Sequence, residues 1–325
     1  MTSSAAANAL TCSGCEKNSK KRIEIKRGIL GTRGGEKREC EFLGRTIRVT
    51  PNGFQYEGNQ KHVKILLEEW GMQNAKPLSS PGSALEKPNA RDKQREEEKL
   101  SPKESKDYRR AAARINYMAL DRADLSYASK EASRGMANPT VGDCVRLKRI
   151  LRYLQGHPRA INEFAWQELP NVIRGMCDSD WAGCVKTRKS TSGGFLMHGA
   201  HVLAHWSSTQ TVIALSSAEA ELNATVKMIS EALGVKNFMK GIYKTKKVLF
   251  ETDSTACKGI VQREGCGKIK HLETRQLWVQ QYVNSKDVTV RTIPRAINCS
   301  DCLTHHWERA DGLRHLNTVG ISFVS

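Results

Sequence analysis

The sequence lacks any hydrophobic run of about 18 residues, the length that a membrane-spanning helix needs. Its alanine-rich N-terminus also lacks a basic region followed by an apolar core, which is the pattern of a secretory signal. We therefore expect an intracellular protein without a membrane partner. The choice between cytoplasm and nucleus stays open.

Acidic residues are few relative to basic ones: the 325 residues include 34 Asp and Glu against 52 Lys and Arg, a net charge of +18. An excess of this size favours a polyanionic partner, most simply nucleic acid, because phosphate contacts release bound counterions. The alternative is that the charge serves only solubility or nonspecific adhesion. Charge by itself does not separate the two.

The ten cysteines form no dense framework, so reduced thiols in an intracellular protein are expected. Two Cys-x-x-Cys pairs are present, Cys12/Cys15 and Cys299/Cys302. Together they would supply the four ligands of a tetrahedral zinc site. Each pair lacks a second pair nearby, however, and the two lie almost at opposite ends of the chain. Zinc is therefore the weaker interpretation.

The residue pattern divides the chain into ranges of different character. Residues 1–38 are rich in Ser, Gly and Lys and predict a loose start, residues 39–156 predict a hairpin followed by helices, and residues 157–171 predict a linker. Residues 172–308 predict three strands, a helix, a strand, two helices, a strand and a short helix, and residues 309–325 predict a tail. The order in 172–308 favours an α/β fold with a mixed sheet and flanking helices.

Within the first half, alternating apolar residues predict a hairpin over residues 42–56, with its turn at Pro51-Asn52-Gly53. Four prolines and a mixed charge run predict a solvated linker over residues 77–106. Three helices are predicted over residues 107–155, and the last has a basic face that suits either solvent or nucleic acid.

Acidic residues stand at the ends of predicted strands and helices in the second half. Two-metal phosphodiester hydrolysis needs several carboxylates to hold two divalent ions, and hard oxygen ligands suit Mg²⁺ or Mn²⁺. Asp178 ends the first predicted strand and Asp253 the fourth. Each has a structural alternative, since Asp178 and Asp180 also suit a turn, and Asp253 and Asp301 also suit a helix cap.

The helix predicted over residues 216–233, with Gly234 as its end, offers two glutamates. Glu219 stands three residues after Ser216, which predicts a capping box in which its carboxylate bonds back to the backbone of the cap residue. Glu221 lies about 60° round the helix from a residue of the buried stripe, and so borders the face that meets the sheet. Glu221 is the better metal-ligand candidate.

Several motifs in residues 172–308 resemble the ribonuclease H domain of copia-type retrotransposon Pol polyproteins. They are Cys177-Asp-Ser-Asp-Trp-Ala-Gly183, Arg188-Lys-Ser-Thr-Ser-Gly193, Trp206-Ser-Ser208, Ala214-Leu-Ser-Ser-Ala-Glu-Ala-Glu221, Lys270-His271 and Asp301-x-Leu-Thr304. Residues 39–156 resemble, more loosely, the end of the reverse transcriptase palm with its thumb and connection. The motifs there include Phe42-Leu-Gly44, Pro77-Leu-Ser-Ser-Pro81, Tyr108-Arg109 and Leu147-Lys-Arg-Ile-Leu-Arg-Tyr-Leu154.

The resemblance implies a ribonuclease H-like five-stranded mixed sheet with flanking helices, preceded by a smaller α+β/helical region like the reverse transcriptase thumb and connection. In that fold the first and fourth strands are neighbours and four carboxylates meet. The matching residues, which would bind two Mg²⁺ or Mn²⁺ ions, are Asp178, Glu221, Asp253 and Asp301. Weaker candidates for substrate contacts are Asp180, Ser216, Lys270, His271 and Asn298.

The implied function is that of an endoribonuclease hydrolysing the RNA strand of RNA–DNA hybrids, compatible with association with reverse transcriptase or other Pol products. The alternative is an inactive remnant that binds nucleic acid without cutting it. A related DNA-cutting nuclease of the same fold is a third interpretation.

Three departures from the family pattern matter. The sequence contains no Asp-Asp pair, which a polymerase site needs, and the fingers and most of the palm have no counterpart, so DNA synthesis by this chain is not expected. Leu303-Thr-His-His306 stands where family members often continue Leu-Thr-Lys-Pro. Residues 294–300 contain no His, although cellular ribonucleases H carry one in that loop.

Overall fold

Two five-stranded sheets organise the part of the chain that the structure describes. The computed structural model describes residues 28–83, 95–241, 247–267 and 269–324. The strands are β1 (Glu39–Phe42), β2 (Arg45–Thr50), β3 (Gly53–Gly58), β4 (Arg159–Ala165), β5 (Val172–Asp180), β6 (Thr191–His198), β7 (His201–Thr209), β8 (Lys247–Thr252), β9 (Val288–Thr292) and β10 (Ile321–Val324). The helices are α1 (Lys61–Glu69), α2 (Pro102–Met118), α3 (Ser126–Arg134), α4 (Val141–Gly156), α5 (Ser217–Met239), α6 (Thr255–Gln262), α7 (Thr274–Asn284) and α8 (Arg309–Thr318). Across these described ranges no helix is both long and apolar enough to cross a membrane.

The first sheet is antiparallel throughout, in the order β1-β2-β3-β4-β10. The predicted hairpin is present as β2 and β3, with Ile47 opposite Tyr56. Its turn requires glycine at Gly53, where φ is +151° and an added Cβ would lie 2.1 Å from the carbonyl oxygen of Phe164.

Two ranges that lacked a strand prediction contribute strands to this sheet. The expected linker over residues 157–171 contains β4, and the expected tail over residues 309–325 contains α8 and β10, which pairs with β4. Neither strand has the regular alternation that marks a strand in isolation. Pairing between segments about 160 residues apart stabilises both, and a local pattern does not report such pairing.

The three predicted helices of the first half are confirmed as α2, α3 and α4. The predicted linker over residues 77–106 ends earlier than expected, because Ser101 and Glu104 form a capping box that starts α2. Buried side chains of these helices, including Tyr108 and Leu151, share one core with Phe195 and Trp307 of the second half. This core therefore includes residues of both halves, and a second core, which includes Leu222, Phe250 and Val279, lies within the second half.

The second sheet has the order β7-β6-β5-β8-β9. β5, β6 and β7 are antiparallel neighbours, whereas β8 lies parallel to both β5 and β9. This is the mixed five-stranded sheet with flanking helices expected of a ribonuclease H-like fold, and the adjacency of its first and fourth strands is confirmed.

Two element boundaries in this half differ from the sequence predictions. α5 continues through Gly234 to Met239, because Met239 is buried and Lys236 pairs with Asp287 at 3.0 Å. The expected helix from Ser300 to about Trp307 is a 3-10 helix, Cys299–Leu303, which packs its buried residues against β5 and β6.

Candidate metal site

Three carboxylates meet where β5, β8 and α5 converge. Asp178 lies near the end of β5, Asp253 directly follows β8, and Glu221 stands one turn inside α5. Parallel pairing of β5 with β8 brings the ends of the two strands to the same edge of the sheet. One ligand oxygen from each carboxylate lies within 4.8 Å of the other two, a spacing that one metal ion could bridge.

Asp178 is the most enclosed of the three. Burial raises its pKa to about 6, and the negative charges of Asp301 and Asp253 add to that rise. A hydrogen bond of 2.5 Å, donated by the Thr304 hydroxyl to Oδ2, acts in the opposite direction and lowers the pKa. Thr304 therefore fixes the orientation of the carboxylate while leaving it in a crowded negative environment.

Glu221 has one satisfied oxygen and one open one. Its Oε1 accepts hydrogen bonds from the backbone N–H of Ser179 at 3.1 Å and from the Ser179 hydroxyl at 2.9 Å. Its Oε2 is buried and has no hydrogen-bond partner among the described residues. Burial, followed by the charge of Asp178, raises the pKa of Glu221 to about 8.

Asp253 is not the cap of α6, because Ser254 accepts the capping hydrogen bond from the N–H of Cys257 at 3.1 Å. Its carboxylate is thus free of the structural role that the sequence left open. Burial raises the pKa of Asp253, whereas hydrogen bonding to Asn298 and the charge of Arg295 lower it.

Asp301 lies close to the three-carboxylate group but outside it. It is not the cap of its 3-10 helix either, since the Asn298 side chain accepts from the N–H of Ser300. Its oxygens pair instead with Arg295 at 3.1 Å and His305 at 3.4 Å. Its charge nevertheless raises the pKa of Asp178, and the Thr304 hydroxyl, which donates to Asp178, also lies 2.9 Å from the backbone carbonyl of Asp301.

Asp180 stabilises the strand end rather than the carboxylate group. It lies opposite Thr191 in the β5–β6 pair, and its Oδ1 accepts the backbone N–H of that residue. Burial raises the pKa of Asp180, and the bond from Thr191 lowers it. The bond spans the loop between β5 and β6, and a substrate contact by Asp180 stays a prediction.

The other candidate substrate residues fall into two groups. Ser216 and Asn298 have structural contacts: Ser216 caps α5, and the buried Asn298 donates to the carbonyl of Cys177 at 3.0 Å. Lys270 and His271 are exposed near the start of α5, and His271 lies 3.0 Å from Glu219.

Only one of the two hydrogen bonds of the predicted capping box is present at the start of α5. Ser216 accepts the N–H of Glu219, but the Glu219 carboxylate accepts the N–H of Leu215 at 2.8 Å rather than that of Ser216. His271 contacts the same Oε2 atom, which draws the carboxylate towards the preceding loop.

Four residues at the site were not singled out from the sequence: Ser179, Thr304, Arg295 and His305. Ser179 and Thr304 lie inside the motifs that resemble the ribonuclease H domain, so that resemblance could have indicated both residues. Nothing local to Arg295 or His305 indicated contact with Asp301, because that contact depends on how the loop before the 3-10 helix folds back.

The described cysteines give no zinc site. Cys299 and Cys302 are buried in the core, and the Cys302 thiol donates to the carbonyl of Cys299 at 3.2 Å. Cys12 and Cys15 lie outside the described residues. Among the described His, Cys, Asp and Glu side chains, only the three carboxylates cluster tightly enough to hold a metal ion.

Comparison with known proteins identifies the family to which the chain belongs. No protein-family model matches the chain. The uncharacterized mitochondrial protein AtMg00810 of Arabidopsis thaliana is 31% identical over 191 residues, which cover 56% of this chain and 72% of that protein. The retrovirus-related Pol polyprotein from transposon TNT 1-94 of Nicotiana tabacum is 27% identical over 248 residues, or 75% of this chain. The chain belongs to the copia-type, retrovirus-related Pol polyprotein family.

This Pol-family chain spans 18% of the length of the tobacco polyprotein. Its second half is a retrotransposon ribonuclease H-like domain, as the sheet order and the family membership together indicate. A similar solved structure is ribonuclease H1 from Halobacterium salinarum NRC-1, with 15% identity and a TM-score of 0.33, covering 41% of the Pol-family chain and 94% of that protein.

Proposed function

We propose that the chain is an endoribonuclease that hydrolyses the RNA strand of RNA–DNA hybrids with the help of two divalent metal ions. The observation that supports this proposal most is the three-carboxylate group of Asp178, Glu221 and Asp253 at the shared edge of β5 and β8. Family membership agrees with it, since the matching motifs surround these residues.

The residues present fit a divalent cation. All three donors are hard carboxylate oxygens, the ligands that Mg²⁺ and Mn²⁺ prefer. Glu221 Oε2 is buried without a partner among the described residues, which supports a cation as its ligand. The raised pKa values of Asp178 and Glu221 reflect crowded negative charge that a cation would relieve.

Asp178, Glu221 and Asp253 would hold the metal, and Asp301 would complete the set. The chemistry supplied by a bound pair of such ions is activation of the attacking water and stabilisation of the leaving oxygen. Thr304 and Ser179 orient Asp178 and Glu221 through the hydrogen bonds described above. Asn298 anchors the start of the 3-10 helix to β5 and so places Asp301 beside the group.

Substrate selection would combine contacts to 2′-hydroxyls of the RNA with phosphate contacts to the other strand. The exposed pair Lys270 and His271 is available for phosphate contact. Ser216 and Asn298 would act only through their backbone contacts, and Asp180 through the strand end that it stabilises. We do not propose DNA synthesis for this chain, because its sequence contains no Asp-Asp pair of the kind a polymerase site needs.

The proposal is tested by incubating a labelled RNA–DNA hybrid with the wild-type chain and with Asp178→Asn, each with and without Mg²⁺. We expect the wild type to cut the RNA strand only with metal, leaving 3′-hydroxyl and 5′-phosphate ends, and the variant to be inactive. Equal cutting by both proteins would refute the assignment of Asp178. Salt-dependent binding of the hybrid without cleavage would favour the inactive remnant, and cleavage of duplex DNA would favour a DNA-cutting nuclease.

A further inference from the structure

Two cysteines flank Asp301 within one short helix. The 3-10 helix Cys299–Leu303 begins with Cys299, and Cys302 follows three residues later. Both thiols are free. Position 302 is the unspecified position of the Asp301-x-Leu-Thr304 motif, so the family pattern does not call for this pair. The proposed function also assigns the two thiols no role.

The geometry of the 3-10 helix brings the two cysteine side chains together. Such a helix has three residues per turn and rises about 2.0 Å per residue, so residues three apart lie above one another at a distance of about 6 Å. Disulfides join residues whose Cα atoms are roughly 4.4–6.8 Å apart. The Cys302 thiol donates to the carbonyl of Cys299 at 3.2 Å, so its sulfur already lies beside the backbone of the first cysteine. The Cys299 thiol contacts the carbonyl of Ile297 at 3.7 Å, and rotation of this side chain would bring the two sulfur atoms together.

The pair is buried, but Cys302 borders a cavity. Cys299 is 1% exposed and Cys302 is 2% exposed. The cavity, of about 480 Å³, is lined by Cys302 together with Asp301, His305 and His315. A space of this size admits molecules as small as water or hydrogen peroxide. Burial raises the pKa of both thiols, so the reduced pair is the resting form and its reaction with a peroxide is slow.

The helix is anchored to β5 on both sides of Asp301. The Ser300 hydroxyl donates to the carbonyl of Met176 at 2.8 Å. The Thr304 hydroxyl donates to Oδ2 of Asp178 at 2.5 Å. Asp301 lies between these anchors and directly precedes the second cysteine. A change in the turn that the two cysteines close would therefore be accommodated at Asp301.

We propose that Cys299 and Cys302 form a redox-sensitive disulfide that displaces Asp301 from the carboxylate group. The co-reactant is a hydroperoxide, of which hydrogen peroxide is the simplest. The Cys302 sulfur attacks one peroxide oxygen, the O–O bond breaks, and the other oxygen leaves as water with the thiol proton, which gives a sulfenic acid. The Cys299 sulfur then attacks the sulfenic sulfur. The S–S bond forms, the S–O bond breaks, and a second water leaves with the proton of the Cys299 thiol.

The disulfide would be reversible. It closes a ring within a single helical turn, and strained disulfides are the more easily reduced ones. Formation of the bond is independent of what the chain does, whereas its effect on cleavage rests on the proposed function.

Mass spectrometry of the full chain tests the bond without any activity. The chain is treated with hydrogen peroxide, alkylated under denaturing conditions and cut with trypsin, which releases residues 296–309 as one peptide with both cysteines. We expect this peptide to escape alkylation and to be lighter by two hydrogens, and dithiothreitol to restore it. Cys177 and Cys257 are the matched control, since both are buried and both contact the Thr225 hydroxyl but lie on different elements. We expect both control thiols to be alkylated.

Hybrid cleavage with Mg²⁺ measures the consequence for the carboxylate group. Peroxide should lower the wild-type rate at least about tenfold, the effect of disturbing a contact around a metal site. Dithiothreitol should restore the rate, because it reduces a disulfide but leaves oxidised methionine unchanged. Cys302→Ala and Cys299→Ser should cut at the untreated wild-type rate and keep that rate after peroxide, and two variants are used so that a folding defect in one leaves the other for comparison. The Mn²⁺-induced rise in Tm needs no cleavage, and peroxide should reduce it in the wild type but not in the variants.

The possible failures are distinguishable. Alkylation of both cysteines in the peptide 296–309, or an equal loss of alkylation at Cys177 and Cys257, overturns the disulfide. A linked peptide with unchanged cleavage and an unchanged Mn²⁺ effect overturns the displacement of Asp301, as does an equal loss of cleavage in the cysteine variants. An untreated chain that does not cut the hybrid overturns the proposed function, whereas a linked peptide with a reduced Mn²⁺ effect would still uphold the redox-sensitive pair.

Discussion

The two carboxylate oxygens of Glu221 differ in their hydrogen bonding, and the difference indicates where a ligand would bind. Oε1 receives two hydrogen bonds from Ser179, whereas Oε2 is buried and unpartnered within the described structure. Leaving a buried polar atom unsatisfied costs about 1–3 kcal/mol. A ligand at Oε2 would recover that cost, and the neighbouring Asp178 and Asp253 make a cation the suitable ligand.

Metal binding should therefore depend on pH in a defined direction. The pKa values of Asp178 and Glu221 are raised to about 6 and about 8, so the folded state holds these protons more tightly than the unfolded state. Without metal, their contribution to the free energy of unfolding falls as pH rises from about 4 to about 8. Added Mn²⁺ must displace the protons, so we expect its stabilising effect on Tm to be larger at about pH 8 than at about pH 6.

Thermal unfolding with and without Mn²⁺ at the two pH values checks this expectation. Glu221→Gln is the control, because it removes the group with the highest pKa of the site while keeping its size. We expect this variant to show a much smaller Mn²⁺ effect and little change with pH. A Tm increase that is the same at both pH values, or the same in the variant, would contradict the account.

At the scale of elements, the sequence was most informative where a local pattern decides the outcome. Apolar runs predicted β5 and β8, and Ser216 predicted the start of α5. These three elements position Asp178, Asp253 and Glu221. The adjacency of β5 and β8 did not follow from the residues themselves and came from the family resemblance, and their parallel direction is given by the structure. The end of α5 was missed because Gly234 reads as a stop, although packing beyond it keeps the helix intact.

Asn298 joins two elements of the site, and we expect its loss to affect both stability and activity. Its amide donates to Cys177 in β5 and accepts from Ser300 in the 3-10 helix, with the side chain fully buried. Asn298→Ala should lower the free energy of unfolding by about 2–3 kcal/mol, because buried groups on both elements lose their partner. Urea unfolding measures the loss, and hybrid cleavage should fall as well because Asp301 is no longer positioned.

Ser254→Ala is a matched control, since it removes one helix cap of α6 and should cost about 1 kcal/mol. If Asn298→Ala is as stable and as active as Ser254→Ala, Asn298 does not position Asp301.

At the scale of the whole molecule, the chain returns to its first sheet after completing the second. β10 pairs with β4, and the larger core contains residues from both halves. The sequence did not predict this closure, because β4 and β10 are short and become strands only when paired. The predicted domain boundaries near 156 and 172 stay predictions, and the core that both halves share is a reason to expect cooperative unfolding.

Ile321 tests that closure. It is buried in β10, and Ile321→Ala should destabilise the protein by about 2–5 kcal/mol through the cavity that it leaves. Val324→Ala changes a partly exposed residue of the same strand and should cost less than about 0.5 kcal/mol. Urea unfolding followed by tryptophan fluorescence compares the two, and equal stabilities would show that β10 does not contribute to the core.

Cleavage of an RNA–DNA hybrid by the wild-type chain and by Asp178→Asn tests the central claim most directly. The account predicts Mg²⁺-dependent cutting of the RNA strand by the wild type and a loss of more than about a hundredfold in the variant, beyond the usual effect of losing an outer-shell partner. Cutting that continues without divalent metal, or that is unchanged in Asp178→Asn, would contradict it.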